Sequence, residues 1–360
     1  MKFIAQIEPW LDEKEEQAVS AVIKSGWITE AQKTKEFEQM IAQFVDSKYT
    51  SVLSNGTVTL FVALKALGIG EGDEVIVPDF TMVASANAIG LTGATPIFVD
   101  IRKEDLCLDL DEVELKITQN TKAIMPVAMN GRSPDMDRLL QIAKDHNLFI
   151  VEDAAQALGC YYKGKHLGTL GNIGSFSFST PKVITTGQGG ALVTDDENLF
   201  KRITELKDFG RIDRNTQDHD AIGYNFKFTD ILAAVGIEQM KKLEWRLKRK
   251  KEMFQLFKDQ LKFVEQVKFV ETNLEETSPW FIDIIVSDPL ELQKILKEKQ
   301  IGTRVFYPAI HTTKPYKGTE VFPNSLWASE HGLWLPSSTF LKDSDIIDIC
   351  NAIKIFYENR

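Results

Sequence analysis

Between residues 74 and 151 the chain keeps setting short runs that are apolar at every position beside segments of helical period. These are Val75-Ile-Val77, a helix over 83–92, Pro96-Ile-Phe-Val99, Ala123-Ile-Met125, a helix over 134–145, and Leu148-Phe-Ile-Val151. A strand with one wet face alternates polar and apolar residues, whereas a strand apolar throughout must be covered on both sides. The alternation with helices therefore predicts a mostly parallel α/β sheet between helical layers. In such sheets ligands collect beyond the carboxyl ends of the strands, so the residues there are the first candidates for chemistry.

Three stretches meet that description. Asp153, in Glu152-Asp-Ala-Ala-Gln156, follows an apolar run, and a buried carboxylate needs a partner to stay ionised. A protonated ring nitrogen of a ligand and a helix N-terminus serve equally well. Further on, the alternating strand 174–179 runs into Pro181, Lys182 and a glycine cluster ending at Gly190, and the apolar run Ala191-Leu-Val-Thr194 follows. Glycines let backbone approach a ligand closely. An amine attacks a carbonyl only when neutral, so a lysine of ordinary pKa ~10.4 must be desolvated, which flanking apolar strands supply. Taken alone, a solvated loop lysine is the commoner arrangement.

The third stretch is Ser51-Val-Leu-Ser-Asn55-Gly56-Thr57, a strand that breaks at Asn-Gly into an apolar helix, Val58 to Leu67. Free N–H groups and the positive dipole end there suit a phosphate, with a plain N-cap as the alternative. Gly68-Ile-Gly70-Glu-Gly72 instead follows a helix and precedes a strand, the reverse of a dinucleotide loop, which argues against a nicotinamide-dependent oxidoreductase.

The length of 360 residues, 43% hydrophobic and 26% charged, fits one large α/β domain (1–240) and a smaller C-terminal α+β domain (241–360). That smaller domain is predicted to hold strands at 267–270, 280–286 and 301–307 and helices at 289–299 and 343–357. A net charge of −10 argues against nucleic-acid binding. Three separated cysteines and five scattered histidines indicate neither a disulfide framework nor a metal site. No signal peptide and no membrane span of ~20 apolar residues is visible, so a cytoplasmic enzyme is expected. Trp27 is expected to pack, 211–220 to form a mobile or interface loop, and 231–258 to be one helix. The basic residues 241–251 on that helix are expected to form a solvated face.

In this order and spacing the motifs resemble the DegT/DnrJ/EryC1/StrS family of sugar aminotransferases, of the aspartate-aminotransferase fold (type I). The similarity runs from Ser25-Gly-Trp-Ile-Thr29 to Leu335-Pro-Ser-Ser338. It implies pyridoxal 5'-phosphate (PLP) as cofactor, with Lys182 as the residue that carries it covalently. Ser177, Gly56 and Thr57 match the family's phosphate donors, Asp153 the carboxylate facing the pyridine nitrogen, and Gln156 the side chain near the ring hydroxyl. Asn225 matches an asparagine that reaches the phosphate from the neighbouring subunit, which implies a homodimer with shared active sites. Tyr307 and His311 are candidates near the acceptor, with structural roles as the alternative.

Three positions depart from the family pattern. Met82 stands where an aromatic residue usually stacks on the cofactor, and thioether–ring contact is a possible replacement. Ala128 and Leu158 stand where many members carry histidines, and Gln188 replaces a usual Glu. The Ile184-Thr-Thr-Gly187 wording is most similar to the perosamine-synthase branch. That implies transfer of an amino group from L-glutamate to C4 of a nucleotide-linked, GDP-linked in that branch, 4-keto-6-deoxy sugar. A keto-cyclitol, a non-nucleotide keto-sugar or a small keto-phosphate is the alternative acceptor, and a non-catalytic regulatory protein of the same fold the alternative class.

Overall fold

The computed structural model describes residues 3–211, 218–219 and 221–358, so most of the polar 211–220 stretch lies outside the described residues. Seven strands build the larger sheet: β1 Tyr49–Leu53, β2 Glu74–Pro78, β3 Thr95–Val99, β4 Thr121–Ile124, β5 Phe149–Asp153, β6 Ile173–Ser177 and β7 Gly190–Thr194. Their spatial order is β1-β7-β6-β5-β4-β2-β3. Strands β2 to β6 pair in parallel, as the apolar runs require, and helices such as Gly56–Ala66 and Met136–Asp145 cover the faces. Strand β7 runs antiparallel to both neighbours, Gly190 facing Ser177 on β6 and Leu53 on β1. The cause is the connection: the segment from Phe178 to Gly189 contains no helix, and a crossover is needed to join parallel neighbours.

The second sheet is antiparallel, with β8 Lys268–Phe269, β9 Ile282–Ile285, β10 Arg304–Val305 and β11 Gly332–Leu335 in the order β8-β9-β11-β10. Its core joins Ile284 and Leu333 to Phe254 and Phe257 of helix Leu243–Leu261 and Ile349 of helix Asp343–Glu358. The N-terminal segment belongs here as well, since Ile4 exchanges backbone bonds with Gln300 and Gly302 (2.9 and 2.8 Å). A buried ion pair, Arg132–Asp283 at 2.7 Å, and reciprocal bonds between the Asn130 side chain and the Phe281 backbone (2.8 and 2.6 Å) tie this unit to the larger sheet. Among the described residues no helix is long and apolar enough to cross a membrane.

Several local expectations are corrected. Trp27, expected to pack, is 71% exposed. The single helix over 231–258 is two, Asp230–Lys241 and Leu243–Leu261, broken at Lys242 where the amine is drawn to Glu15 (2.7 Å) and Asp12 (2.8 Å) of the first helix region. Thr229 caps the first of these, while Asp230 caps a different helix, accepting from the backbone of Ala31, Lys33 and Thr34. The basic run is a solvated face only in part, at residues such as Lys241 and Lys248. Arg246 is buried against Val183 O, Gln239 and Trp10 O, and Lys250 is buried with its amine donating to the carbonyls of Trp280 (2.8 Å) and Ser337. A helical repeat puts these residues on one face, and that face meets the interior.

Candidate active site

A cavity of about 270 Å³ opens beyond the carboxyl ends of β5 and β6 and is lined as well by Trp280, Arg304 and Tyr307 of the smaller unit. Lys182 sits in the loop leaving β6, whose turn is pinned by Lys182 N to Ser179 O (3.0 Å) and Thr186 N to Phe178 O (3.0 Å). The residue as a whole is only half-buried, but its amine lies 3.9 Å from the centroid of the Trp280 ring. Among the described residues nothing accepts a hydrogen bond from that amine. Desolvation lowers its pKa to about 8; the Arg304 charge adds to the lowering and Asp153 opposes it. A substantial neutral fraction near physiological pH follows, which is the state a nucleophilic amine needs.

Asp153 is the last residue of β5 and is buried. Burial pushes its carboxyl up, while Ser85 (Oγ to Oδ2, 2.7 Å), the Ala155 amide (3.2 Å) and the Lys182 charge pull it back toward the ionised form. Gln156 is buried and lines the same cavity, its Oε1 accepting from the Asn130 amide at 2.7 Å. Since Asn130 also grips Phe281, this chain of bonds sets Gln156 from both units at once.

The strand-to-helix break is fixed by Asn55, whose side chain accepts from Val58 N at 2.9 Å and caps helix Gly56–Ala66. The amides of Gly56 and Thr57 have no intrahelical acceptor at this end. Ser177 closes the cradle, and a Cβ added at Gly56 would come to 2.9 Å from the Ser177 Cβ, so only glycine lets helix and strand meet here. The cradle is polar, positive by its dipole and lined by a hydroxyl, the donor set a phosphate monoester takes.

Met82 lines the cavity and is 44% exposed. Tyr307 lines it too, its hydroxyl pushed up to about 12 mainly by burial. His311 is not among the lining residues: its Nδ1 bonds Asp79 Oδ2 at 2.6 Å and its amide bonds Asp79 Oδ1 at 2.8 Å, latching the 306–311 segment onto the residue after β2. Asn225 is exposed and pairs in a backbone bridge with Asp208, away from this cavity. Ala128 and Leu158, in place of histidines, are buried in the apolar cluster with Phe37 and Phe178.

Sequence reasoning missed Ser85, Trp280 and Arg304. Ser85 lies on a helix whose sequence gives no sign of the carboxylate it meets, and Trp280, just before β9, and Arg304, on β10, arrive from far along the chain. The unusual density of Trp and Phe at 280–281 was the one available signal.

The family model for "DegT/DnrJ/EryC1/StrS aminotransferase family" matches residues 9–354. The chain belongs to this family. Among its relatives, the GDP-perosamine synthase of Escherichia coli O157:H7 is 40% identical over 369 residues, covering 100% of both chains. The GDP-perosamine synthase of Vibrio cholerae is 34% identical over 359 residues, covering 97% of this chain and 98% of its own. Among solved structures, the PLP form of Spr1654 from Streptococcus pneumoniae superposes with a TM-score of 0.92 at 29% identity, covering 100% of this chain and 99% of that one. This aminotransferase is therefore PLP-dependent and has the type I fold. The residues present suit that cofactor: a cradle of helix amides and a hydroxyl that a Cβ would fill, a buried carboxylate and a desolvated amine all line one cavity.

Proposed function

We propose that this aminotransferase moves the amino group of L-glutamate onto C4 of a nucleotide-linked 4-keto-6-deoxy sugar, with GDP as the nucleotide. The observation that carries this reading is similarity along the whole chain to two GDP-perosamine synthases. PLP, when bound, supplies a carbonyl to capture amines and a ring that takes up the electrons released when the donor carbon loses its proton.

The protein's residues do the rest. Gly56, Thr57 and Ser177 would hold the cofactor phosphate in the cavity that Lys182 also lines. Asp153, whose carboxylate accepts from the Ser85 hydroxyl, would hold a proton on the pyridine nitrogen, and Gln156, on the same cavity, would meet the ring hydroxyl. Lys182 Nζ, which has no hydrogen-bond acceptor among the described residues, would in its neutral form take the proton from the donor α-carbon as general base and deliver it to the cofactor carbon as general acid, the order reversing for the acceptor. Trp280 shields that amine from water, and Met82 supplies a thioether face on the open side.

We infer a homodimer with shared sites. Asn225 is exposed, and Trp27 and Ile222 are 71% and 87% exposed, a set of surfaces that a second copy would cover. The cytoplasmic location expected from the sequence belongs to this same reading. The test is to offer GDP-, dTDP- and UDP-linked 4-keto-6-deoxy sugars with L-glutamate and follow 2-oxoglutarate. Fastest release with the GDP sugar supports the proposal, and no release with any of them contradicts it.

A further inference from the structure

One cation of the cavity has no task in the chemistry above. Arg304, on β10, lines the mouth beside Tyr307. Its guanidinium carbon stands 5.4 Å from the Tyr307 ring centroid and 5.6 Å from that of Trp334. Two aromatic faces orient a planar guanidinium while leaving its N–H fork free for an anion. Among the described residues no carboxylate pairs with it, in contrast to the buried Arg132, which is held by Asp283.

The anion it suits is set by what else surrounds the cavity. The phosphate cradle is formed by different residues, Gly56, Thr57 and Ser177, on the helix and strand of the larger unit. Arg304 comes instead from the smaller unit and lines the same cavity as Lys182 and Trp280, the ring that the Lys182 amine meets at 3.9 Å. An anion held by Arg304 therefore sits close to the atom that exchanges nitrogen. An α-amino acid carries a carboxylate on the very carbon that bears its amine. A 4-keto sugar linked through C1 keeps its diphosphate several bonds from the reacting carbon.

We propose that Arg304 is the residue that binds the carboxylate of the amino donor, so that donor recognition and acceptor recognition are carried by different side chains in one cavity. This rests on the reading that an α-amino acid such as L-glutamate supplies the nitrogen. A charge-assisted pair to a carboxylate is bidentate for arginine and only a point contact for lysine, which gives the test its gradation.

The experiment uses the PLP-loaded protein and the variants R304Q and R304K, with glutarate and GDP as separate probes in calorimetry. Single-turnover conversion of L-glutamate to 2-oxoglutarate, without any acceptor, is measured alongside. The expected result is ~10- to ~100-fold weaker glutarate binding and a matching rise in the glutamate concentration needed for half-maximal rate in R304Q. R304K should fall between R304Q and wild type, and GDP binding should change less than glutarate binding. Unchanged glutarate binding, or a loss of GDP affinity as large as or larger than the loss for glutarate, overturns the proposal. Since Arg304 is exposed, an unaltered Tm verifies that the variants are folded. A wild-type protein that releases no 2-oxoglutarate from glutamate would instead remove the donor reading, and glutarate binding would then still judge Arg304.

Discussion

The protein buries two lysine amines around one tryptophan, and they have opposite fates. Lys182 lies against the Trp280 ring, and Lys250 donates to the Trp280 carbonyl and to that of Ser337. Burial lowers both, to about 8 and about 7. Depressed basicity alone therefore does not mark the reactive one. Lys250 is saturated by carbonyls in the interior between helix Leu243–Leu261 and the second sheet, so its lone pair or proton has nowhere to go. Lys182 lines a cavity that it shares with Asp153 and the Gly56–Ser177 cradle, and among the described residues its amine has no acceptor. Desolvation makes an amine available, and access with unspent hydrogen bonding makes it useful.

The largest effect that separates the two is expected from Lys182→Ala, which removes covalent capture of PLP together with the proton carrier. Single-turnover release of 2-oxoglutarate should fall by ~10³-fold or more. Asp153→Asn should cost on the order of 10²-fold in the same assay, because a preorganised charge facing the cofactor is lost while the shape is kept. Lys250→Met should do the converse: PLP capture at Lys182 persists, but two buried carbonyls lose their donor. Urea unfolding should then report a loss of ~2–4 kcal/mol.

The smallest effect is in pH. Capture needs the neutral amine, so the rate at which apo-protein takes up PLP should rise with pH through about 8 and then level. An ordinary lysine would keep gaining to ~10.4. The sign for stability agrees: between those values the unfolded chain binds a proton at this residue that the native protein does not, so this group makes stability rise with pH in that window. A rate profile still climbing well above pH 8 would place Lys182 in solvent and remove the contrast with Lys250.

Much of the fold and of the cavity was legible because it is written in short-range pattern. Apolar runs declare a sheet covered on both faces, and Asp153, Lys182 and Gly56 stand at the ends of such runs. The antiparallel turn of β7 was not read, although the helix-free segment 178–189 implies it. The burial of Arg246 and Lys250 escaped because charge composition says nothing about which face of a helix meets the interior. Trp280 and Arg304 reach the cavity from the smaller unit, and Ser85 meets Asp153 from a helix far away in sequence, contacts that periodicity does not encode. His311 could be named from its segment, but its bond to Asp79 is a tertiary fact.

The central claim is that one of these two buried amines, and only that one, bonds to the cofactor. Adding PLP to the apo-protein, reducing with borohydride and mapping the modified peptide by mass spectrometry tests it most directly. The account predicts a pyridoxyl group on Lys182 with Lys250 unmodified. A label on Lys250, or no label on Lys182, would contradict it.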